Sequence, residues 1–184
     1  MSVSNGIAAL IFLVAVGGFG RDARAAAAAS ADREDQLKAA YLFNFLKCVE
    51  WPASVPADAL TVCFVGGDGV HEALAVGIEN KRVGSRRLDI RKLRDAGTLT
   101  GCNALYLDAA VAPDSPRVSI EGGPPILTVS NAKAFARNGG MIELFTEDNR
   151  LRFSINIDNV QKAGLRISSN LLQLAATVER GGTK

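Results

Sequence analysis

The stretch LTVCFVGGDGVHEALAVGI, from Leu60 to Ile78, sets the fold class of this chain. Leu60 to Val65 is a short apolar run rich in strand-forming residues, and a glycine-rich segment from Gly66 to Gly69 follows it. Val70 to Ile78 then has a helical pattern. The stretch therefore predicts a strand, a loop and a helix in that order.

Further strands are predicted along the rest of the chain. Arg87 to Leu93 alternates apolar and polar residues, and the apolar runs Ala104 to Leu107 and Ile126 to Val129 are bounded by turn-forming residues. The runs Met141 to Thr146 and Leu151 to Ile157 flank a polar turn and predict a β-hairpin. Strands separated by helices or loops indicate a single α/β domain, with a mixed β-sheet of about five to six strands and helices on both faces.

Two more helices are predicted near the ends of the domain. Asp32 to Val49 has a helical pattern that ends at Trp51 and Pro52, and its apolar residues fill an arc of roughly 240°. Such an arc is wider than one core-facing stripe requires, so the helix is either covered on two sides by its own domain or presents a partner surface. Ser168 or Ser169 is expected to cap a final helix. The apolar face of that final helix should lie on the sheet and comprises Leu171, Leu172, Leu174, Ala175 and Val178.

The N-terminal segment has the pattern of an export signal. Ile7 to Phe19 is an apolar run of 13 residues, shorter than the roughly 20 that a helix needs to span a bilayer. Small residues with A-x-A-like spacing follow it. We predict that residues 1–31 are a removed secretory signal peptide and that residues 32–184 form a periplasmic domain; an uncleaved N-terminal anchor is the alternative.

Composition and residue types argue against several functions. The chain has 184 residues and a formal net charge of only +2, without a run of Lys or Arg, so the basic footprint of a nucleic-acid-binding protein is missing. His71 is the one histidine, and no metal-ligand spacing or nucleophile motif accompanies it. We therefore expect no catalytic residues, no metal and no cofactor.

The glycine-rich segment is the one candidate for a small-molecule site. Gly67 and Gly69 follow a predicted strand as in a dinucleotide-binding loop, but Glu72 stands at the third glycine position and would repel a pyrophosphate. A structural turn is one interpretation of Gly66, Gly67 and Gly69. A ligand-binding loop in a periplasmic sensor module is the alternative.

The three cysteines predict one disulfide and one free thiol. Cys63 lies within one predicted strand and Cys102 at the start of another, whereas Cys48 lies on the apolar side of the first helix. We expect Cys63 to pair with Cys102 and Cys48 to behave as a small buried hydrophobe.

Aromatic residues of the first helix and the hairpin are candidates for partner binding. Tyr41, Phe45 and Trp51 lie on or just after the helix, and Phe153 lies in the hairpin. Ordinary core packing and a partner-binding platform both remain open for these residues.

Several segments in this order resemble one family. These segments are KAAYLFNFLKCVEWP (38–52), LTVCFVGGD (60–68), GCNALYLD (101–108), PILTVS (125–130), GGMIELF (139–145) and RLRFSINIDNVQKAGLRISSNLLQLA (150–175). Together they are similar to the YfiR family of bacterial periplasmic proteins, and the likeness covers nearly the whole predicted domain. Cys63 and Cys102 match positions at which such proteins carry a structural disulfide.

The resemblance implies a regulatory protein that binds other proteins and catalyses no reaction. Its expected partner is the periplasmic domain of a membrane-bound signalling protein, a diguanylate cyclase, whose cyclic di-GMP output it represses. An outer-membrane lipoprotein that relieves the repression and a homodimeric state are also implied. Some relatives have a second cysteine pair near the hairpin, and this sequence has none there.

Overall fold

The computed structural model describes residues 19–79, 81–111 and 123–180. The helices of these residues are α1 (Phe19–Cys48), α2 (Asp68–Gly77), α3 (Ile157–Lys162) and α4 (Ser169–Leu174). The strands are β1 (Val49–Glu50), β2 (Ala59–Val65), β3 (Arg82–Val83), β4 (Arg86–Leu93), β5 (Ala104–Leu107), β6 (Leu127–Ser130), β7 (Ile142–Glu147), β8 (Arg150–Asn156), β9 (Arg166–Ile167) and β10 (Thr177–Glu179).

Eight of these strands form one mixed sheet in the order β10-β8-β7-β6-β5-β2-β4-β3. The five strands from β7 to β4 in that order are parallel, whereas β8 runs antiparallel to β7 and β3 antiparallel to β4. The remaining strands, β1 and β9, pair with each other. The predicted α/β class is confirmed. The sheet exceeds the predicted five to six strands because the short edge strands β3 and β10 offer too few residues for a visible alternation.

The side chains of each central strand divide between two apolar clusters. Leu60, Val62 and Phe64 of β2 belong to the larger cluster, and Cys63 and Val65 belong to the smaller cluster on the other face. This division follows from the alternation of side chains along a strand. The sheet therefore has a core on each face.

Helices cover only one face of the sheet in the part of the chain that the structure describes. All four helices direct buried side chains into the larger cluster, among them Leu42, Leu74, Val160 and Leu171. The smaller cluster is covered by non-helical segments that contain Leu99 and Phe135. The expectation of helices on both faces is thus wrong for these residues, because the described connections on the second face are turns.

Helix α1 is longer than predicted. It begins at Phe19 rather than at Asp32 and ends at Cys48, and Val49 starts a strand. The predicted end of the signal peptide at residue 31 therefore falls within α1, and the apolar run that starts at Ile7 lies outside the described residues except for Phe19. Within the described ranges, no helix has the length and apolar character needed to cross a membrane.

The C-terminal helix is shorter than predicted. The Ser168 side chain accepts a hydrogen bond from the Leu171 N–H, as expected for a cap, but α4 ends at Leu174. The N–H of Ala176 donates to the Phe153 carbonyl at 2.9 Å, and the chain then pairs with β8 as strand β10. Leu174 and Val178 are consequently exposed, and Val178 is itself part of the sheet in β10 instead of packing on it from a helix.

Candidate functional site

Helix α1 has a buried stripe with a partly exposed stripe beside it. Leu37 is 43% exposed, and Tyr41 and Cys48 are half-buried. At 100° per residue these three side chains fall within about 40° of one another. We call Leu37, Tyr41 and Cys48 the α1 stripe. The buried stripe comprises Ala39, Leu42, Phe45 and Leu46.

Three aromatic rings join α1 to strand β8. The ring centroid of Phe153 lies 5.0 Å from that of Phe45 and 5.8 Å from that of Tyr41, in edge-to-face arrangements. The Tyr41 hydroxyl donates a hydrogen bond to the Leu151 carbonyl at 3.1 Å. These contacts fix the rotation of α1 against the hairpin, so one side of Tyr41 is packed and the other faces outward.

The four predicted partner-binding residues differ in their exposure. Phe45 and Phe153 are 1% and 4% exposed and belong to the core, so they present no surface to a partner. Tyr41 and Trp51 are half-buried, and the Trp51 indole donates to the Leu46 carbonyl at 3.3 Å. Partner binding through Tyr41 and Trp51 stays a prediction, and the α1 stripe adds Leu37, which the sequence analysis did not single out.

The glycine-rich loop lies at a position where open α/β sheets commonly bind ligands. Gly66 follows β2 and Asp108 follows β5, at the carboxyl ends of the two strands between which the strand order reverses. Gly66 and Gly67 have φ angles of 69° and 66°, which favour glycine. The backbone geometry alone thus explains why Gly66 and Gly67 are glycines, and no bound ligand is required for it.

Side chains of the protein lie close to the three glycines of this loop. A Cβ atom on Gly67 would lie 2.6 Å from Cε1 of Tyr106, one on Gly66 would lie 2.8 Å from Cγ2 of Val111, and one on Gly69 would meet the Asp35 carboxylate. The loop is closely packed at Gly66 and Gly67, whereas Gly69 lines a groove of about 650 Å³ between α1 and α2. Its role as a small-molecule site stays a prediction.

The charge beside the loop is negative. Burial raises the pKa of the Asp35 carboxyl above its usual value, against the opposing effect of Lys38. The Lys38 ammonium lies 2.8 Å from a carboxylate oxygen of Glu34 and 3.7 Å from one of Asp35. The negative charge of Asp108 raises the pKa of the Asp35 carboxyl further. A phosphate would therefore meet carboxylates here, although helix N-termini otherwise attract anions.

Two polar groups near this end of the sheet are buried and have no hydrogen-bond partner among the described residues. They are the Tyr106 hydroxyl and Nδ1 of His71. Burial, with a contribution from the Asp108 carboxylate, raises the pKa of the Tyr106 hydroxyl. Burial and the neighbouring Lys92 lower the pKa of His71, so its imidazole is neutral at neutral pH. No cluster of metal-ligating side chains occurs in the described ranges.

The predicted disulfide is present in the structure. Cys63 and Cys102 are bonded, with their Cα atoms 5.8 Å apart, and both residues are buried in the smaller cluster. The bond joins β2 to the segment that leads into β5. Cys48 is a free thiol in the α1 stripe, and it is half-buried rather than buried as expected.

One edge of the sheet is basic, a feature that the sequence patterns above do not predict. Seven of the 14 residues from Lys81 to Arg94 are Lys or Arg and only Asp89 is acidic. This segment contains β3 and β4, which lie at one end of the strand order. The signal was present as a local excess of charge, which the nearly balanced total concealed.

Comparison with known proteins gives a family and a similar solved structure. Residues 35–176 match the family model described as YfiR/HmsC-like. The crystal structure of a conserved domain protein from Vibrio cholerae O1 biovar El Tor is similar to this chain, with a TM-score of 0.46 and 12% sequence identity. That match covers 79% of this chain and spans 60% of the length of the other protein.

Proposed function

The chain belongs to the YfiR/HmsC-like family, and on that premise we propose that it is a periplasmic regulator of a membrane-bound signalling protein. It binds the periplasmic domain of that partner, a diguanylate cyclase, and represses it, so that the cyclic di-GMP concentration falls. The match over residues 35–176 is the observation that carries the proposal. The proposed role is binding without a chemical step.

The compartment is supported by the disulfide and the N-terminal sequence. A buried disulfide persists in an oxidising compartment and is rare in reducing ones. The Cys63–Cys102 bond and the apolar run from Ile7 to Phe19 are both consistent with export to the periplasm.

The α1 stripe is the proposed contact with the cyclase. It combines apolar and aromatic side chains that remain accessible. Tyr41 also packs against the aromatic cluster of α1 and β8, which holds its ring in place. Aromatic residues presented on a rigid element are favourable interface anchors. We propose that Leu37 and Tyr41 insert into an apolar pocket of the partner.

The regulatory role is tested by deletion and complementation. Removal of the gene should raise cellular cyclic di-GMP, and the full chain should restore the lower level. A form that starts at Asp32, and is therefore not exported, should fail to restore it. Unchanged cyclic di-GMP after deletion, or restoration by the unexported form, would contradict the proposal.

The surface is tested by charge insertion at matched exposed apolar positions. Leu37→Arg should abolish complementation and capture of the cyclase by crosslinking, because a charge in an apolar interface is costly. Val76→Arg is the control, since Val76 is 78% exposed on α2. If both variants complement fully, the α1 stripe is not the contact; if both lose function while folded, the effect is not specific to it.

A further inference from the structure

Strand β4 has an open outer edge. It pairs with β2 on its inner side from Arg87 to Leu93, but β3 covers only Arg86 and Arg87 on its outer side. The residue that precedes β3 belongs to a turn at the end of α2, because the N–H of Lys81 donates to the Ile78 carbonyl at 2.7 Å. In the described part of the chain, nothing pairs with the outer edge from Leu88 to Leu93.

The open edge presents a row of backbone hydrogen-bonding groups. The N–H of Arg87 points inward and donates to the Asp58 carbonyl at 2.8 Å. Because successive residues of a strand direct their backbone groups to opposite sides, the N–H and C=O groups of Leu88, Ile90 and Lys92 point outward. Another strand could pair with them.

A groove with a mixed apolar and charged lining lies directly beside this edge. It has a volume of about 490 Å³ and separates the end of α2 from β4. Ala75, Ile78, Leu88 and Ile90 are the apolar residues of its lining, and the charged residues are Glu79, Lys81, Arg82 and Arg87. Side chains of a strand added to β4 would alternate between this groove and the opposite face of the sheet. The groove could therefore take every second side chain of such a strand.

The side chains around the open edge are mainly cationic. Arg87, Arg91, Lys92 and Arg94 are exposed, and Asp89 is the one carboxylate between them. Asp89 lies 3.3 Å from Arg87 and is already paired with it. Asp58 also lies 3.4 Å from Arg87, and Asp68 lies 3.0 Å from Lys92. The segment thus concentrates positive charge on a chain whose net charge is only +2. Acidic side chains on an incoming strand would still find an excess of positive charge, because residues 81–94 contain seven cations and one carboxylate.

We propose that the outer edge of β4 binds an extended acidic segment of another protein by strand addition. In this mode, backbone hydrogen bonds supply affinity and pockets for alternate side chains supply specificity. The cations discourage edge-to-edge pairing with a second copy, which would bring two basic segments together. The open backbone edge, with the apolar residues Leu88 and Ile90 beside it, favours a protein strand over a nucleic acid, which would not pair with backbone groups. This inference is independent of the proposed cyclase contact.

The test uses a blocked, fluorescent peptide of about eight residues in which valine alternates with glutamate, a length that fits one strand. Fluorescence anisotropy with the purified protein should show saturable binding. A peptide with lysine in place of glutamate, and a glutamate peptide with every backbone nitrogen methylated, should not bind. Lys92→Glu/Arg94→Glu should raise the Kd by about tenfold or more.

The matched control is Arg150→Glu/Arg152→Glu, at the exposed tip of the β7–β8 hairpin, which should bind the glutamate peptide normally. Circular dichroism should verify that both variants are folded. If Lys92→Glu/Arg94→Glu is not folded, Lys92→Gln/Arg94→Gln takes its place. Three results would overturn the proposal: no saturable binding, equal binding of the methylated peptide, or equal binding of the lysine peptide. Self-association through this edge, or binding to phosphatidylglycerol vesicles instead of the peptide, would also overturn it.

Discussion

The hydroxyl groups of Tyr41 and Tyr106 have opposite hydrogen-bonding situations, and replacing each tyrosine with phenylalanine should change stability in opposite directions. Tyr41→Phe removes the bond to the Leu151 carbonyl and should lower the free energy of unfolding by about 1 kcal/mol. Tyr106→Phe removes a buried hydroxyl that has no partner among the described residues, and should raise that free energy by about 1 kcal/mol. Urea unfolding measures both. If Tyr106→Phe is as destabilising as Tyr41→Phe, the Tyr106 hydroxyl is hydrogen-bonded in solution.

His71 should titrate below its ordinary pKa of 6.5, because burial and then the Lys92 ammonium disfavour the imidazolium form. The folded state therefore binds this proton less readily than the unfolded state, and the contribution of His71 to stability is lost as the pH falls below about 6.5. Since the chain has one histidine, a proton NMR titration of untagged protein follows a single imidazole. Lys92→Gln should raise the pKa of His71 and Asp68→Asn should lower it. A pKa at or above 6.5 in the native protein would contradict the prediction.

At the scale of secondary-structure elements, the loop from β2 to α2 should be far less tolerant of substitution than the end of α2. Gly67→Ala forces a side chain into the left-handed region and against the Tyr106 ring, so we expect a loss of about 2 kcal/mol or more. Gly77→Ala meets nothing within 4 Å and should stabilise α2 by about 0.5–1 kcal/mol. Thermal unfolding of both variants measures the difference. A tolerated Gly67→Ala would show that this loop rearranges easily.

The elements that the sequence predicts well are those with enough residues to show a period. The strand predicted at Leu60 to Val65 is found as Ala59–Val65, and the hairpin is found around the predicted turn. The strands of two or three residues have no such period. In α4, pairing of the following segment with the open side of β8 prevailed over a helical pattern that continued to Val178. Local preference cannot reveal this competition, because it depends on a strand far away in the sequence.

The candidate site was only partly predictable for a related reason. The pattern of α1 indicates excess apolar surface, but the side that the domain covers depends on the packing of Phe45 against Phe153. The sequence therefore identifies Tyr41 as a candidate together with Phe45, and only the fold separates the accessible residue from the buried one. The open edge of β4 likewise depends on strand order, which no local pattern contains.

At the scale of the whole molecule, the sheet couples two cores that lie on opposite faces. Trp51 packs against the larger cluster, whereas the Cys63–Cys102 bond lies in the smaller one. Neighbouring residues of β2 contribute to both clusters. Loss of packing in one cluster should therefore disrupt the strands that also support the other cluster. Domains of this size usually unfold in one cooperative step. Loss of the disulfide should therefore also destabilise the packing around Trp51.

We predict that Cys63→Ala/Cys102→Ala lowers the free energy of unfolding by about 3–4 kcal/mol, from the increased chain entropy of the unfolded state. The bond joins residues 39 positions apart, and its loss should shift the urea midpoint equally for Trp51 fluorescence and far-ultraviolet circular dichroism. Cys48→Ala is the control and should change both midpoints little, since Cys48 is free and half-buried. If the circular dichroism midpoint falls while the Trp51 midpoint stays, the two faces unfold separately and the sheet does not couple them. A disulfide on the face away from the α1 stripe would then be unable to stabilise that stripe, and its contribution would be confined to the smaller cluster.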